Sequence, residues 1–422
     1  MDPTRRLVVK LGLCGFASRL AAREKEIRRE TFLPSPGKGV MNWGGSYYTR
    51  RTGGEMMSIE QRLSRSDTIE VAYLRFSGDN GRAWSAPREW VTGERRTEGM
   101  LRRHPRGGFV DPRNGLFVNF WNEGVLPNDD PLEGMRQWNI HYTVSADGGK
   151  THGGVRQVIH RGPGFDSKHP LPTVYTGKNC VMIGDVAEQA VALPDRSIAL
   201  PAIVTPIGPD GKLANPGGGY TWTEAIVLFG RWKGNVLEWE ASPTVKGDPA
   251  KTTRGMDEPT LALLRGKRMI MVLRGSNDKQ GRLPGYRWVS YSDDLGRTWS
   301  EPVPWTYTTG ERFFSPSSCS ALLEHSSGRL FWLGNINPSN PRGNRPRYPF
   351  WIGEVDRESG RLIRDSLRMV DDRKPGEPEL LALSNFVARE DRVTKEVVLH
   401  LTRFFAYPEG FQGDAGLYRI EV

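Results

Sequence analysis

The chain has 422 residues, of which 37% are hydrophobic, and it carries 13 tryptophans, 49 glycines and 30 prolines. The turn-forming residues are spread along the whole length instead of marking a linker, so a single domain with a large core is predicted. The formal net charge is +10, but the basic residues are dispersed and form no RNA-binding motif or basic helix, which argues against a nucleic-acid partner.

The sequence gives no sign of a membrane span or a metal site. No apolar run is long enough to cross a bilayer, so the mature chain is expected to be soluble. The three cysteines are Cys14, Cys180 and Cys319, and they show neither metal-ligand spacing nor a disulfide framework. We therefore expect no cofactor, while the oligomeric state is left open.

The N-terminus is predicted to carry an export signal. Arg5 and Arg6 lie in a segment that resembles a twin-arginine signal, and the apolar stretch 11–22 that follows ends in small residues. We expect export to the periplasm or the extracellular space with removal of residues 1–22, so that residues 23–422 form the domain. The alternative is an ordinary basic extension, which would leave the protein in the cytoplasm.

A short motif occurs three times along the chain, at residues 77–84, 145–151 and 292–299. Each copy has Ser at its first position, Asp at its third and Gly at its fifth, and the first and last copies end in Trp. Hydroxyl and carboxylate groups can bond to their own turn, Gly permits a left-handed backbone, and Trp can pack on the layer beneath. We interpret the motif as a structural turn whose Asp residues are not catalytic. Its recurrence indicates a repeated architecture.

The spacing of the motif predicts six units. The second and third copies lie about twice as far apart as the first and second, which predicts a degenerate copy between them. Third strands are predicted at 70–77, 139–145, 223–230, 287–292, 350–356 and 416–422; second strands at 115–121, 197–204, 268–274, 329–335 and 395–403; inner strands at 189–193, 260–264, 320–324 and 386–389. The units match the blades of an all-β, six-bladed β-propeller made of four-stranded antiparallel blades, which leaves few exposed sheet edges. Residues 26–33 are expected to supply the outer strand of the last blade and close the ring.

The three motif copies, the six units and the segment 285–292 that leads into the best copy are similar to the sialidase superfamily of Asp-box (BNR-repeat) propellers. The resemblance covers nearly the whole chain. It implies an active site on the propeller axis, built from the starts of the inner strands and from the loops that join second and third strands. The chemistry there needs an acid, a nucleophile or base, and cations that match a sugar carboxylate.

Several residues match positions of the sialidase pattern. The resemblance implies that Glu258 is the activating carboxylate, that Arg274 on the next strand binds the substrate carboxylate, and that Asp67 is the acid/base. Further anion-binding candidates are Arg287 and, from the loop before Phe350, Arg342, Arg345 and Arg347, of which we favour Arg347 for its closeness to the strand. The plain alternatives are solvated surface residues and, for Asp67, a capped turn.

Two departures from the pattern affect the mechanism. The stretch 40–45 lacks the first arginine of the family's carboxylate-binding triad. The inner strand of the last blade opens with residues 383–386, which include Asn385, where the family carries its nucleophilic tyrosine; Tyr407 would have to reach across from beyond the second strand.

Other residues suggest different chemistry. Glu188 aligns with Glu258, and such a carboxylate pair resembles the propeller exo-arabinanases, which cleave neutral sugars. Arg103 and His104 lie near the inner start of the second blade, where they could bind substrate and where His104 could serve a polysaccharide lyase as base, or simply be a satisfied channel histidine. The leading hypothesis is a sialidase-like exo-glycoside hydrolase that releases a terminal acidic sugar from extracellular glycans. A non-catalytic carbohydrate-binding propeller is the alternative outside enzymes.

Overall fold

The computed structural model describes residues 25–422, so the predicted export signal at residues 1–22 lies outside the described residues. The described chain is almost entirely β-structure, arranged as six small antiparallel sheets that form a six-bladed propeller. The predicted fold class is therefore confirmed. No helix in the described part of the chain is long and apolar enough to cross a membrane.

The strands follow one another blade by blade. The first strand is β1 (Ile27–Leu33). Blade one contains β2 (Met41–Tyr48), β3 (Met56–Arg65), β4 (Thr68–Ser77) and β5 (Arg88–Trp90). Blade two contains β6 (Gly93–Arg96), β7 (Gly99–Val110), β8 (Phe117–Leu126), β9 (Asn139–Ser145) and β10 (Arg156–Gln157). Blade three contains β11 (Val181–Met182), β12 (Val191–Ala192), β13 (Ile198–Val204), β14 (Glu224–Lys233) and β15 (Val236–Ala241).

The second half of the chain is more regular. Blade four contains β16 (Asp257–Leu263), β17 (Met269–Arg274), β18 (Arg287–Ser292) and β19 (Val303–Pro304). Blade five contains β20 (Ala321–Glu324), β21 (Leu330–Asn335), β22 (Phe350–Val355) and β23 (Arg368–Asp371), and blade six contains β24 (Ala382–Glu390), β25 (Val397–Phe404) and β26 (Ala415–Ile420). The described helices are one α-helical turn, α1 (Gly134–Gln137), and two 3-10 turns, Pro131–Glu133 and Arg364–Ser366.

The ring closes between the two ends of the described chain. Strand β1 lies antiparallel to β26, with Ile27 opposite Ile420 and Thr31 opposite Gly416. The last sheet therefore has the order β1-β26-β25-β24. This confirms that the N-terminal strand supplies the outer strand of blade six.

The core lies between neighbouring blades. Strands β17 and β21 are buried along their whole length, because a propeller blade is covered on both faces by its neighbours. Apolar runs such as residues 269–273 therefore form strands without the alternation that is typical of a half-exposed sheet. Trp239, Trp305 and Trp332 are among the largest fully buried side chains.

The repeated motif forms the turn between the third and fourth strands. In the third copy, the Ser292 hydroxyl donates to Asp294 at 2.7 Å and accepts from the Gly296 amide at 2.8 Å, while Asp294 accepts from the Thr298 amide at 2.9 Å. In the turns at Ser77 and Ser145, the hydroxyl likewise donates to the Asp carboxylate and accepts from the Gly amide. The predicted degenerate copy in blade three is absent: β14 and β15 are joined by a tight hairpin in which Lys233 lies opposite Val236.

Candidate functional site

A cavity of about 760 Å³ lies where all six blades meet, which places it on the propeller axis. Its residues come from the inner strands and from the connecting loops at one end of the blades. One part of its wall is charged and is supplied mainly by blades three to five. Blades six and one add an apolar part that includes Trp43, Phe404, Phe405 and Phe411.

Three inner strands carry an extra residue where they reach the cavity. In β7 the register passes from Pro105 to Gly107, in β16 from Asp257 to Thr260, and in β24 from Ser384 to Phe386. The side chains set free by these irregularities are Arg106, Glu258 and Asn385, and all three line the cavity. Because a β-bulge redirects a side chain out of the regular alternation, the same local device supplies a site residue in three blades. Glu258 and Asn385 accordingly have positive φ angles, +42° and +58°.

Blade three breaks its inner strand completely. Strands β11 and β12 both pair with β13, and the residues between them leave the sheet. This segment holds Asp185, which lines the cavity, and Glu188, whose carboxylate accepts from the Gly184 amide at 3.2 Å and the Asp185 amide at 2.7 Å. Gly184 has no room for a side chain, since a β-carbon there would lie 2.6 Å from Glu188 Oε1 and 2.9 Å from Glu258 Cγ. The two glutamates therefore converge on one glycine.

Glu258 is buried and held on one side only. Its Oε1 accepts from Arg274 Nη1 at 2.5 Å, while its Oε2 is buried without a hydrogen-bond partner among the described residues. Burial raises the pKa of Glu258 to about 7; Arg274 opposes this change, and the neighbouring Asp257 adds to it. The carboxyl can therefore exchange a proton near neutral pH.

The surroundings of Glu188 favour the protonated form of its carboxyl group. Burial raises the pKa of its carboxyl well above the ordinary value, and the negative charge of Glu258 raises it further. Its bonds to two backbone amides fix its position, and it lies behind Gly184 instead of on the cavity wall. The glutamate pair predicted from the sequence is thus brought together, but only Glu258 lines the cavity.

Three cavity arginines make no ion pair with a described carboxylate: Arg342, which is exposed, and Arg106 and Arg347, which are less exposed. Arg106 is 8% exposed and donates to the carbonyl oxygens of Ile183, Pro105 and Gly184. Arg347 donates to the Ser317 carbonyl at 3.0 Å, its buried Nε has no partner, and burial together with Arg274 lowers its pKa to about 10. Burying a cation without an anion is costly, so these guanidinium groups favour an anionic ligand in the cavity.

Arg274 and Arg254 complete the basic cluster. Arg274 lies beside Asp257 and donates to Ser317 as well as to Glu258, and although burial lowers its pKa, the two carboxylates outweigh that effect and raise it. Arg254 lies 3.4 Å from Asp257 and over the ring of Tyr220. Both arginines line the same cavity.

Asp67 lies at the rim, in the hairpin between β3 and β4, with φ +56°. It is exposed, lines the cavity and accepts from the Ser66 hydroxyl at 2.9 Å. Tyr220, 55% exposed, is another lining residue whose pKa is raised by burial and by the charge of Asp67. Asp67 thus has a solvent-accessible carboxylate in the same cavity as the buried Glu258.

The structure corrects the placement of Arg287 and Arg103, which do not line the cavity. Arg287 lies opposite Arg274 but one strand further from the axis, and its buried guanidinium donates to Ser315 and to the Ser318 carbonyl. Arg103 pairs with Glu123 at 2.7 Å. It precedes His104 in β7, and because successive side chains of a strand point to opposite faces, it faces away from the cavity that His104 lines.

Other predicted residues have clear positions. Arg342 lines the cavity, while Arg345 is exposed and does not. His104 lines it too, but its ring packs 4.6 Å from that of Trp138, and burial lowers its pKa well below the ordinary value, so it stays neutral. Tyr407 bonds to Asp414 at 2.8 Å and is not among the lining residues.

Sequence reasoning did not identify Arg106, Arg254, Asp185 or Tyr220 as site residues. The pair Gly107-Gly108 directly after Arg106 is a signal for a bulge, since glycine within a strand often marks one. Gly184 before Asp185 is a comparable signal. Arg254 and Tyr220 lie in loops, for which strand patterns give no guidance.

The described residues contain no group of three or more His, Cys, Asp or Glu side chains that could hold a metal ion. Cys180 and Cys319 are free and buried.

Comparison with known proteins supports the architecture. No family model and no curated protein matches the sequence. Among solved structures, the NanB sialidase from Streptococcus pneumoniae is similar with a TM-score of 0.60 at 11% identity, over 93% of this chain and 70% of that chain. Trypanosoma rangeli sialidase gives 0.56 at 12% identity, over 92% and 55%, and the intramolecular trans-sialidase from Ruminococcus gnavus gives 0.56 at 12%, over 93% and 97%. The chain therefore has the fold of the sialidase-like six-bladed β-propellers.

Proposed function

We propose that the chain is an exo-acting glycoside hydrolase that releases a terminal acidic sugar from a glycan. The observation that carries this proposal is that Arg106, which is buried, and Arg347, which is half-buried, make no ion pair in the cavity that also holds Glu258. A sugar carboxylate would supply the missing anion, and its two oxygens match the planar donors of arginine.

Two carboxyl groups in different environments supply the acid–base chemistry. Asp67 at the open rim would donate a proton to the leaving oxygen, and Glu258 beside Arg274 would act at the inner end of the cavity. Glycoside hydrolysis needs such a pair, in which one group is protonated and the other ionised when the bond breaks. The apolar wall formed by Trp43 and Phe404 suits the carbon face of a sugar ring.

The structural neighbours add support of a limited kind. They are sialidases, and sialic acid is an acidic sugar, so the ligand charge inferred from the arginines agrees with them. The presence of Asn385 where the family carries tyrosine separates this chain from that pattern. We therefore infer an acidic sugar as the substrate class without choosing sialic acid over a uronic acid.

A second candidate is a neutral-sugar glycosidase that uses Glu188 and Glu258. The convergence of both side chains on Gly184 favours it. Glu188, however, is engaged by two backbone amides and lies off the cavity wall, which suits a supporting role better than attack on substrate. A lyase reaction is disfavoured because the buried His104 is a weak base.

The test is release of free sugar from sialosides, uronic-acid glycosides and arabino-oligosaccharides by the wild type, Arg347→Lys and Arg345→Lys. We expect the wild type to act on an acidic substrate. For Arg347→Lys, kcat/KM should fall by about 10-fold or more, because the bidentate ion pair with the substrate carboxylate is lost. Arg345→Lys should keep wild-type activity. The two arginines lie in one loop, but Arg345 does not line the cavity, which makes it a matched control.

Cleavage of arabino-oligosaccharides alone would favour the neutral-sugar candidate. If no sugar is released from any substrate while an acidic glycan still binds, the hydrolase proposal is wrong and the chain is a binding propeller. Equal losses in the two lysine variants would remove Arg347 from substrate binding.

A further inference from the structure

The inner end of the cavity contains a carboxylate held by the residue that stands in place of the expected tyrosine. Asn385, set free by the bulge in β24, donates from its side-chain amide to Asp185 Oδ2. Asp185 Oδ1 accepts from the Ala187 amide at 3.1 Å. Asp185 is 2% exposed, lines the cavity and comes from the broken inner strand of blade three. Two blades thus join to orient one carboxylate toward the axis.

The other carboxylates at this end of the cavity are either paired with an arginine or kept off the cavity wall. Glu258 is bonded to Arg274, within the basic cluster that would hold the substrate carboxylate. Glu188 is covered by backbone amides and does not line the cavity. Asp185 makes no ion pair within 4.0 Å in the described structure, although the charge of Arg106 lowers its pKa against the larger, opposite effect of burial. Among the inner-strand carboxylates, it is therefore the one that lines the described cavity without an ion pair.

The described tyrosines are poorly placed for covalent catalysis. Tyr220 is the one tyrosine on the described cavity wall, and it lies in an exposed loop beside Arg254. Tyr47 is on the inner strand of blade one but is buried off the wall, and both burial and the charge of Asp185 raise the pKa of its phenol. A raised pKa makes the phenolate, which is the attacking form, less accessible.

Building on the proposed hydrolase function, we propose that Asp185, positioned by Asn385, activates a water molecule for direct attack on the substrate, so that the reaction inverts the anomeric configuration. In this step Asp185 takes a proton from water as the water oxygen bonds to the anomeric carbon. The glycosidic carbon–oxygen bond breaks, and Asp67 gives its proton to the leaving oxygen. No covalent glycosyl-enzyme forms. The proton taken by Asp185 passes to solvent through Glu258, which lies against the neighbouring Gly184, and Asp67 regains its proton from solvent.

Asn385 is a positioning residue in this scheme. Its amide holds the carboxylate of Asp185 without touching the reacting atoms, and its backbone has the positive φ of +58° at the bulge in β24. We therefore expect Asn385→Ala to lower kcat while leaving KM within about 3-fold, since substrate binding rests on the arginines. An equal change in KM and kcat would point to a general loss of structure.

The decisive experiment follows the first sugar anomer released by the wild-type protein, using proton NMR before mutarotation. The probes are the 4-methylumbelliferyl α-glycoside of sialic acid and the 4-nitrophenyl β-glycoside of glucuronic acid. We expect the opposite anomer to that of the probe. Release of the same anomer would overturn the water-attack proposal while leaving the hydrolase function intact. If neither probe nor any other acidic glycoside is cleaved, the hydrolase function itself fails, and the inference fails with it.

Two variants test whether Asp185 is the residue that activates the water. Asp185→Ala should lower kcat by about 10²- to 10⁴-fold, and sodium azide should restore turnover by forming a glycosyl azide of inverted configuration. Tyr47→Phe is the matched control and should keep both the rate and the stereochemistry of the wild type. A glycosyl azide of retained configuration, or a loss in Tyr47→Phe as large as in Asp185→Ala, would show that attack comes from a protein nucleophile.

Discussion

The surroundings of Glu258 have opposing effects on the pKa of its carboxyl group. Burial and Asp257 favour its neutral form, whereas Arg274 favours the carboxylate, and the result is a pKa of about 7. Between about pH 4.5 and pH 7, the folded chain therefore keeps a proton on Glu258. An unfolded chain, in which this carboxyl has its ordinary pKa of 4.5, has released that proton. The contribution of this group to stability is full below about pH 4.5 and is lost as the pH rises through about 7.

Glu258→Gln tests this balance. The amide resembles the protonated acid but cannot exchange a proton, so we expect kcat to fall by about 10²- to 10⁴-fold. The thermal midpoint near neutral pH should change little, because much of the wild-type carboxyl is already protonated there. As the pH rises from about 5 to about 8, the wild type should lose stability relative to the variant. Both quantities are read from steady-state kinetics and thermal unfolding over that range.

Glu301→Gln is the control, since Glu301 is exposed and lies outside the cavity. It should match the wild type in rate and in pH dependence of stability. Full activity of Glu258→Gln would remove Glu258 from the mechanism. A pH dependence identical to that of the wild type would show that its carboxyl does not titrate as described.

At the scale of the element, irregularities in the inner strands build the site. Regular alternation predicts the strands of blade four, whereas the roles of Glu258, Arg274 and Asp67 are implied by the resemblance to the sialidases. The same alternation cannot predict Arg106, because the extra residue in β7 changes the direction of the side chain. It also cannot separate Arg287 from Arg274: the two lie opposite each other, and only the distance of their strands from the axis sends one guanidinium to the cavity and the other to Ser315.

The repeated turns, by contrast, depend on local bonds that can be predicted from residue types alone. Ser292, Asp294 and Gly296 bond to one another within five residues of chain, so the motif specifies its own conformation. Its absence from blade three could not be predicted from spacing, since a two-residue hairpin reaches the next strand equally well.

Trp299→Ala tests the structural interpretation of the turn. Trp299 is half-buried against the core cluster of blades three and four and packs on Gly296. Removing its ring should lower the free energy of unfolding by about 2–3 kcal/mol, somewhat less than for a fully buried tryptophan, with kcat unchanged below the transition. Urea unfolding gives the energy. Val303→Ala in the same blade is the control, because Val303 is 49% exposed and should cost little; equal losses would argue against a special role for the turn.

At the scale of the whole molecule, six blades make a rigid ring only if the last blade joins the first part of the chain. Strand β1 covers the edge of β26, and the Arg29 guanidinium lies over the ring of Tyr418, 5.6 Å from its centre. This closure was predictable, because the sixth unit has three predicted strands where a blade needs four, and residues 26–33 have strand character. The cavity depends on closure as well, since blades one and six both contribute to its wall.

Deletion of β1 is the test of closure. A chain beginning at Gly37 should have an exposed β26 edge, a thermal midpoint lower by roughly 5–10 °C, and a tendency to associate through that edge. Its kcat should fall even below the transition, because Asp67 from blade one and Asn385 from blade six would no longer be held in a fixed relation. A chain beginning at Lys25 keeps β1 and is the matched control. Thermal unfolding, light scattering and sugar release are measured on both. If the shorter chain unfolds at the same temperature and retains full activity, the ring does not need β1, and the shape of the cavity must be set by the packing between blades one and six alone.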